Sequence, residues 1–124
     1  MDFHGRKAVY EQIGDFICGR ILAGAWKTDE RILSVRDLAV ELQVNPNTVM
    51  RTCLVLEEKG ILYQKQGVGL FVSKNGRERA LKFLREEFIK QDLPIIIEAM
   101  NRIEMDTNDL TEIIQKHLQG GRSS

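Results

Sequence analysis

Residues 34–60 constrain the fold of this chain most, because they encode two short helices with almost no chain between them. Ser34 is a favourable helix cap, and Asp37 three residues later completes a capping-box pattern. Asn45-Pro46 opens the next helix, since Asn is a preferred cap and Pro loses no hydrogen bond at the first helical position. With a tight turn at Gln43-Val44 between them, the two helices predict a helix-turn-helix.

A β-hairpin is predicted directly after the second of these helices. Residues 61–65 and 70–73 are rich in aromatic and branched side chains, and the glycine-containing residues 66–69 separate them. An amphipathic helix over about residues 7–23 comes before the helix-turn-helix. This order of elements is that of a winged helix-turn-helix.

A different pattern follows a polar hinge at residues 74–76. From residue 77, apolar side chains recur at helical spacing between strongly charged neighbours. Pro94 predicts a kink or break near Asp92-Leu93, because proline cannot continue the helical hydrogen bonds. Thr107-Asn108-Asp109 then predicts the cap of a last short helix.

The predicted fold is mainly α with a small β-hairpin. It comprises a winged helix-turn-helix DNA-binding domain over residues 1–74 and a helical dimerisation tail over residues 75–124, frayed from residue 120. One short helical appendage cannot bury its own apolar stripe, so we expect the stripe to pack across a two-fold axis, although the tail could instead fold back on its own winged helix. The predicted dimerisation residues are Leu81, Leu84, Phe88, Ile95, Ile103, Ile113 and Ile114.

Composition excludes several classes of function. No apolar run approaches the ~18 residues that span a membrane, and no signal peptide is evident, so we expect a cytoplasmic protein. Cys18 and Cys53 form no Cys-x-x-Cys pair and are expected to be buried, reduced thiols. The two cysteines and two histidines are too scattered for a zinc site, and no catalytic motif occurs. We therefore expect no enzyme activity, cofactor or metal.

The start of the third predicted helix carries side chains that suit the major groove of DNA. Asn45, Asn47, Thr48 and Arg51 are polar, and residues 42–56 contain no acid. Asn pairs well with adenine and Arg with guanine when a helix enters the groove by its N-terminal residues. Each residue also has an ordinary structural explanation, as a helix cap or a surface side chain. Their combination with a preceding turn and a following hairpin favours DNA recognition.

Two neighbouring elements are predicted to contact DNA beside this helix. Lys65, Gln66 and Gly67 lie at the hairpin tip, where glycine allows close backbone approach and lysine adds charge. Arg36 can reach a phosphate or a base edge, and the helix start at Ser34 offers backbone N–H groups to phosphate. Lys65 by itself could equally be a solvated hairpin charge.

The net charge of the whole chain does not reveal the acid-poor face of the third predicted helix. The 18 Lys and Arg residues balance 18 Asp and Glu residues, and residues 1–74 carry 10 basic minus 9 acidic residues, or +1. Within residues 42–77, however, the acids are only Glu57 and Glu58, at the far end of the helix. We therefore expect weak non-specific DNA binding, with tight binding dependent on dimerisation and on the right sequence.

Several motifs together resemble the GntR family of bacterial transcription regulators. Residues 33–39 resemble the family's Pro-Ser-x-Arg-x-Leu-Ala motif, and residues 44–51 resemble its recognition helix. The remaining matches are Tyr10-Glu11-Gln12-Ile13 and Ile21-Leu22-Ala23-Gly24 with its opening helix, Leu56-Glu57-Glu58-Lys59-Gly60-Ile61-Leu62 with its helix exit, and Gly67-Val68-Gly69-Leu70-Phe71-Val72 with its wing.

The chain departs from the family pattern at a few positions. Thr28-Asp29 stands where the family usually has Pro-Gly, Leu33 replaces a proline, and Pro46 replaces an arginine common in other branches. Residues 75–124 are too few for the family's large effector domain, and a short helical tail is similar to that of the YtrA branch, whose C-terminal helices mainly dimerise. The resemblance implies a small cytosolic repressor.

The leading hypothesis is a homodimeric repressor that binds double-stranded DNA at a palindromic operator through the third helix and the wing. A winged helix used as a protein-interaction module, without specific DNA binding, is the alternative. A small-molecule effector can coexist with the first hypothesis, but no converging polar residues in the sequence identify one.

Overall fold

The computed structural model describes residues 7–122. Its contacts divide the chain into two compact units, with the first ending at Glu87 and the second beginning at Phe88. The elements follow in the order α1 (Val9–Leu22), α2 (Val35–Leu42), α3 (Pro46–Glu58), β1 (Leu62–Lys65), β2 (Gly69–Val72), α4 (Gly76–Glu87), a π-helical turn (Phe88–Asp92), α5 (Leu93–Arg102) and α6 (Thr107–Arg122). This confirms the predicted fold class, a mainly α winged helix-turn-helix with one hairpin.

The core of the first unit lies where α1, α2, α3, α4 and the hairpin meet. Side chains at helical spacing on α1, such as Ile13, Ile17 and Ile21, are almost completely buried. They pack with Leu38 of α2 and with a buried face on α3. Full burial of one such side chain contributes about 1.5–3 kcal/mol, so this apolar pattern holds the three helices together.

The turn of the helix-turn-helix is held by the predicted caps. The Ser34 hydroxyl accepts a hydrogen bond from the Asp37 amide at 3.1 Å, and the Asn45 side chain accepts one from the Asn47 amide at 2.8 Å. Between them Gln43 ends α2 in a left-handed conformation with φ 56°. The chain turns at Gln43 although this residue is not a glycine. A hydrogen bond from the Val44 amide to the Ala39 carbonyl, at 3.0 Å, closes the turn.

The hairpin is extended by a third stretch of backbone. In the antiparallel pair of β1 and β2, Leu62 lies opposite Val72 and Lys65 opposite Gly69. The connection after α1 runs along the other edge of β2, where the Ile32 amide donates to the Leu70 carbonyl at 2.9 Å. The residues just before α2 therefore form one edge of the wing.

Helix α4 packs with the winged helix. Gly76 is buried at its first position, and a Cβ there would lie 2.8 Å from both the Ile61 carbonyl oxygen and a Val72 methyl carbon. Ala80, one turn later, is completely buried in the core. The polar residues 74–76, predicted as a hinge, are thus a short turn into a tightly packed helix. The boundary at residue 74 between a DNA-binding domain and a dimerisation tail stays a prediction.

The second unit consists of the π-helical turn and two helices. The turn ends at Asp92, two residues before Pro94 in the first turn of α5, so the predicted interruption of the regular helix near Asp92-Leu93 is confirmed. Asp106 is the cap of α6: its carboxylate accepts from the Asp109 amide at 2.9 Å, and the Asp109 carboxylate accepts from the Asp106 amide at 3.2 Å.

This reciprocal cap corrects the prediction for the last helix. The cap stands one residue before the predicted Thr107-Asn108-Asp109, because the side chain that reaches the free amide belongs to Asp106. Helix α6 also continues through Gly120 to Arg122, so the fraying expected from residue 120 is wrong up to that point, and residues 123–124 lie outside the described chain. No helix within residues 7–122 is long and apolar enough to cross a membrane.

Candidate nucleic-acid interface

The first half of α3 presents polar side chains to solvent. Asn45, Asn47 and Arg51 are exposed and Thr48 is half-buried. Asn47 and Arg51 are four residues apart and therefore lie on one face of the helix. No acidic residue occurs in its first turn. This face combines hydrogen-bonding groups with a positive charge. It lies in the N-terminal half of α3, and the backbone amides at the N-terminus of a helix also favour anions.

The opposite face of α3 fixes the helix in the core. Val49, Thr52, Cys53 and Leu56 are buried. The Thr52 hydroxyl donates to the Thr48 carbonyl at 2.9 Å and lies 3.3 Å from the carbonyl oxygen of Tyr10 in α1. A helix seated this way offers its polar face without having to order it on binding.

Both cysteines are free thiols inside this core, as predicted. Burial raises the pKa of Cys18 to about 12, and the negative charge of Asp15 adds to the shift. Burial likewise raises the pKa of Cys53 to about 11, with a further contribution from Glu57. Both thiols therefore remain protonated at neutral pH and serve as apolar packing groups.

The predicted contacts at the helix starts include two side chains that already cap a helix. Ser34 and Asn45 each accept a hydrogen bond from a backbone amide of their own helix. Asn45 keeps its amide N–H groups as donors. Arg36 is exposed in the first turn of α2. The structure thus places the cationic side chain of α2 at a helix start, where phosphate is favoured.

The tip of the wing is a glycine turn with a cation at its base. Gln66 and Gly67 are exposed, and Gly67 has φ 78°, a conformation that favours glycine. The Lys65 ammonium lies 4.8 Å from the centre of the Phe71 ring, which is close enough for a cation–π interaction. Tyr63 stacks on the same ring with centroids 5.5 Å apart. The side chains at the base of the wing therefore support one another.

Arg31 and Asp29 also position the wing and were not among the predicted site residues. The Arg31 Nε donates to the Val68 carbonyl at 2.9 Å, and a Cβ on Gly69 would lie only 2.9 Å from that nitrogen. The Tyr63 hydroxyl donates to Asp29 at 2.9 Å, and this hydrogen bond raises the pKa of Tyr63. The available sequence signal was an arginine in the connection, with nothing to identify its distant partner.

The predicted dimerisation residues are divided between the two units. In the first unit, Leu81 is 40% exposed, and Leu84 is half-buried against the core. In the second unit, Ile103 is 65% exposed. The others there are Phe88, Ile113 and Ile114, which are also exposed, and Ile95, which is half-buried.

Comparison with known proteins identifies the family. Residues 9–72 match the model for bacterial regulatory proteins of the gntR family. The chain is 27% identical over 119 residues to the HTH-type transcriptional regulator YhcF of Bacillus subtilis. The aligned region covers 96% of this chain and 97% of YhcF. It is 29% identical over 119 residues to the HTH-type transcriptional repressor YtrA of the same species, covering 94% and 91% of the two chains.

Solved structures agree with this assignment. A transcriptional regulator of the GntR family from Bacteroides thetaiotaomicron has a TM-score of 0.72 to this chain at 30% identity, covering 92% of this chain and 99% of its own. The resemblance drawn from the motifs is thereby confirmed. With the family model matching more than half of its length, this chain belongs to the GntR family and is a transcriptional regulator with a DNA-binding helix-turn-helix, not an enzyme.

Proposed function

We propose that this regulator is a homodimeric repressor that binds a palindromic operator through α3 and the wing. The observation that carries the proposal is the acid-free, exposed face of α3, on which Asn47 and Arg51 stand together. In this proposal that face enters the major groove and Arg51 reads a guanine, because its guanidinium can form two hydrogen bonds with that base. Repression is suggested by YtrA, a repressor by name.

The wing and α2 supply the phosphate contacts in this proposal. Lys65, Gln66 and Gly67 are all exposed at or beside the turn, so backbone and cation can approach the sugar-phosphate chain together. Arg36 and the backbone amides at the start of α2, beside Ser34, contact the phosphates of the DNA strand next to α3. Such contacts fix the register of the protein on DNA, while α3 supplies the choice of sequence.

In this proposal tight binding needs two copies of the chain, because the net charge of one copy is zero. A zero net charge gives little non-specific attraction to DNA, so affinity must come from two correctly spaced half-sites. The exposed isoleucines of α5 and α6 provide the apolar surface for the two-fold contact. Two α3 helices then read half-sites about 34–36 Å apart, one turn of DNA.

The test is DNA binding by the full chain to an operator selected from a random duplex library. Arg51→Ala should weaken binding by about 1–3 kcal/mol, roughly 5- to 150-fold, and relax the choice of one base pair. Arg85→Ala, which removes an exposed arginine from α4, is the matched control and should leave affinity nearly unchanged.

A salt titration separates the proposal from a protein-interaction module. The logarithm of the association constant should fall steeply with the logarithm of salt concentration, because phosphate contacts release counterions. Selection of no sequence, or an affinity for the selected duplex that salt does not change, would contradict DNA recognition. Equal binding by Arg51→Ala and Arg85→Ala would contradict the role given to Arg51.

A further inference from the structure

A cleft in the first unit lies apart from the DNA-binding face. It has a volume of about 390 Å³ and is formed by Lys59, which directly follows α3, and by one side of α4. We name it the basic cleft. Its lining residues are Lys59, Arg79, Lys82, Phe83 and Glu86.

The charges of the basic cleft are unbalanced. Lys59, Arg79 and Lys82 contribute three cations against the single carboxylate of Glu86. Among residues 7–122, no ion pair within 4.0 Å neutralises either lysine. Gathering like charges around one concavity costs electrostatic free energy, and a bound anion would offset that cost.

Arg79 is held in place before any ligand arrives. Its Nη1 donates to the Gly60 carbonyl at 3.2 Å, just beyond the end of α3. The guanidinium lies directly over Gly60, where a Cβ would displace it, and Gly60 has φ 76°, a conformation that favours glycine. Arginine carries five N–H donors in a planar fork, so this hydrogen bond leaves donors that match the geometry of a phosphate.

Phe83 gives the basic cleft an apolar wall. The residue is half-buried, and its ring abuts α1, where a Cβ on Gly14 would lie 3.7 Å from a ring carbon. Phe83 therefore packs against α1 and also contributes apolar surface to the lining of the cleft. Glu86 adds an acceptor that suits a ligand hydroxyl.

We propose that the basic cleft binds a small organic phosphate. Its phosphate group meets Lys59, Arg79 and Lys82, and its flat apolar part packs on Phe83 while a hydroxyl donates to Glu86. The volume falls within the range of small-molecule sites. The cleft lies at the opposite end of α3 from Asn47, so the ligand and DNA occupy different ends of a helix roughly 20 Å long.

The experiment is calorimetric titration of the full chain with three probes. Adenosine monophosphate carries both the phosphate and the flat group, inorganic phosphate carries only the first, and adenosine only the second. We expect the monophosphate to bind, inorganic phosphate to bind at least about tenfold more weakly, and adenosine to give no measurable heat. Failure of the monophosphate to bind at millimolar concentration, or equal binding of adenosine, would overturn the proposal.

Variants locate the binding. Lys82→Gln should weaken binding of the monophosphate by about tenfold, because it removes one charge-assisted hydrogen bond. Lys116→Gln makes the same change on α6, where the lysine pairs with exposed Glu112, and should have no effect. Arg51→Ala should also leave the titration unchanged. If Arg51→Ala abolishes binding, or if Lys82→Gln does not weaken it, the ligand is not in the basic cleft and the proposal is wrong.

Discussion

Arg31 shows how one side chain can order a wing without being at its tip. It lies in the connection after α1, and its Nε reaches the carbonyl of Val68 in the hairpin turn. Gly69 has no side chain to obstruct this approach. The turn that is proposed to meet DNA is thus tied to the body of the domain by a hydrogen bond, which limits the freedom that binding must remove.

Replacing Arg31 should reduce DNA affinity more than stability. We expect Arg31→Ala to weaken operator binding by roughly 3- to 10-fold, because the turn loses one hydrogen bond of about 1 kcal/mol. Fluorescence anisotropy measures the affinity, and thermal unfolding measures the stability, which should fall by no more than about 0.5 kcal/mol at an exposed site.

Arg31→Lys serves as the control for charge. It keeps the positive charge but lacks the Nε donor that contacts Val68. Affinity close to that of Arg31→Ala is the expected result. Full recovery of affinity by lysine would mean that Arg31 acts through its charge on DNA instead of through the wing.

The two cysteines should be inert in the folded protein. Their pKa values of about 12 and 11 lie above the ordinary value of 9.0, so a thiol reagent at pH 8 should label the native chain slowly and the denatured chain fast. Absorbance of the released reagent group measures both rates. Rapid labelling of either Cys18 or Cys53 in the native state would contradict their burial.

The raised pKa values of the two thiols also determine how the stability of the fold changes with pH. Because the folded pKa values are raised, the folded state holds these protons more tightly, and the resulting stability is complete below pH 9. It is lost progressively as the pH rises from about 9, where the thiols of the unfolded chain ionise, to the folded pKa values of about 11 and 12. Unfolding by denaturant at pH 8 and at pH 10 should therefore show lower stability at the higher pH.

At the scale of elements, α2, α3 and the hairpin were predictable because their signals are local. Ser34 and Asn45-Pro46 mark helix starts, and the glycine turn marks the hairpin, through contacts between residues near in sequence. The contacts of Gly76 with Ile61 and of Arg31 with Val68 were not predictable, since these partners are distant in sequence. A single sequence does not reveal such pairs.

The start of α4 offers a test of close packing. A Cβ at position 76 would lie 2.8 Å from backbone, which must then shift, so Gly76→Ala should destabilise the protein by about 1–3 kcal/mol. Gly19→Ala in α1 is the control, because nothing lies within 4 Å of a Cβ there. It should stabilise the helix by up to about 1 kcal/mol. Urea unfolding measures both, and equal stability of the two variants would contradict the packing described for α4.

At the scale of the whole molecule, the second unit exposes several large apolar side chains. Ile103, Ile113 and Ile114 are each about half or more exposed, which is unusual for so many isoleucines in one small unit. These exposed side chains support the proposed dimer.

Sedimentation velocity tests the dimer directly. The wild-type chain should sediment as a dimer at micromolar concentration, and Ile103→Glu or Ile113→Glu should weaken dimerisation by at least about a hundredfold. Each loses about 1.5–3 kcal/mol of apolar burial, twice over across a two-fold axis. Val40→Glu, at a 74% exposed position on α2, is the control and should stay dimeric. A wild-type monomer would disprove the proposed assembly.

The packing of α4 has a consequence for how such regulators can be rebuilt. A fragment cut at residue 74 would lack Ala80 and so leave a hole in the core, whereas one that ends at Glu87 keeps every element of the first unit. Gene fusions that exchange the C-terminal part should therefore succeed at the junction of Glu87 and Phe88 and fail at the end of the wing. The first compact unit of this protein is therefore a winged helix together with α4.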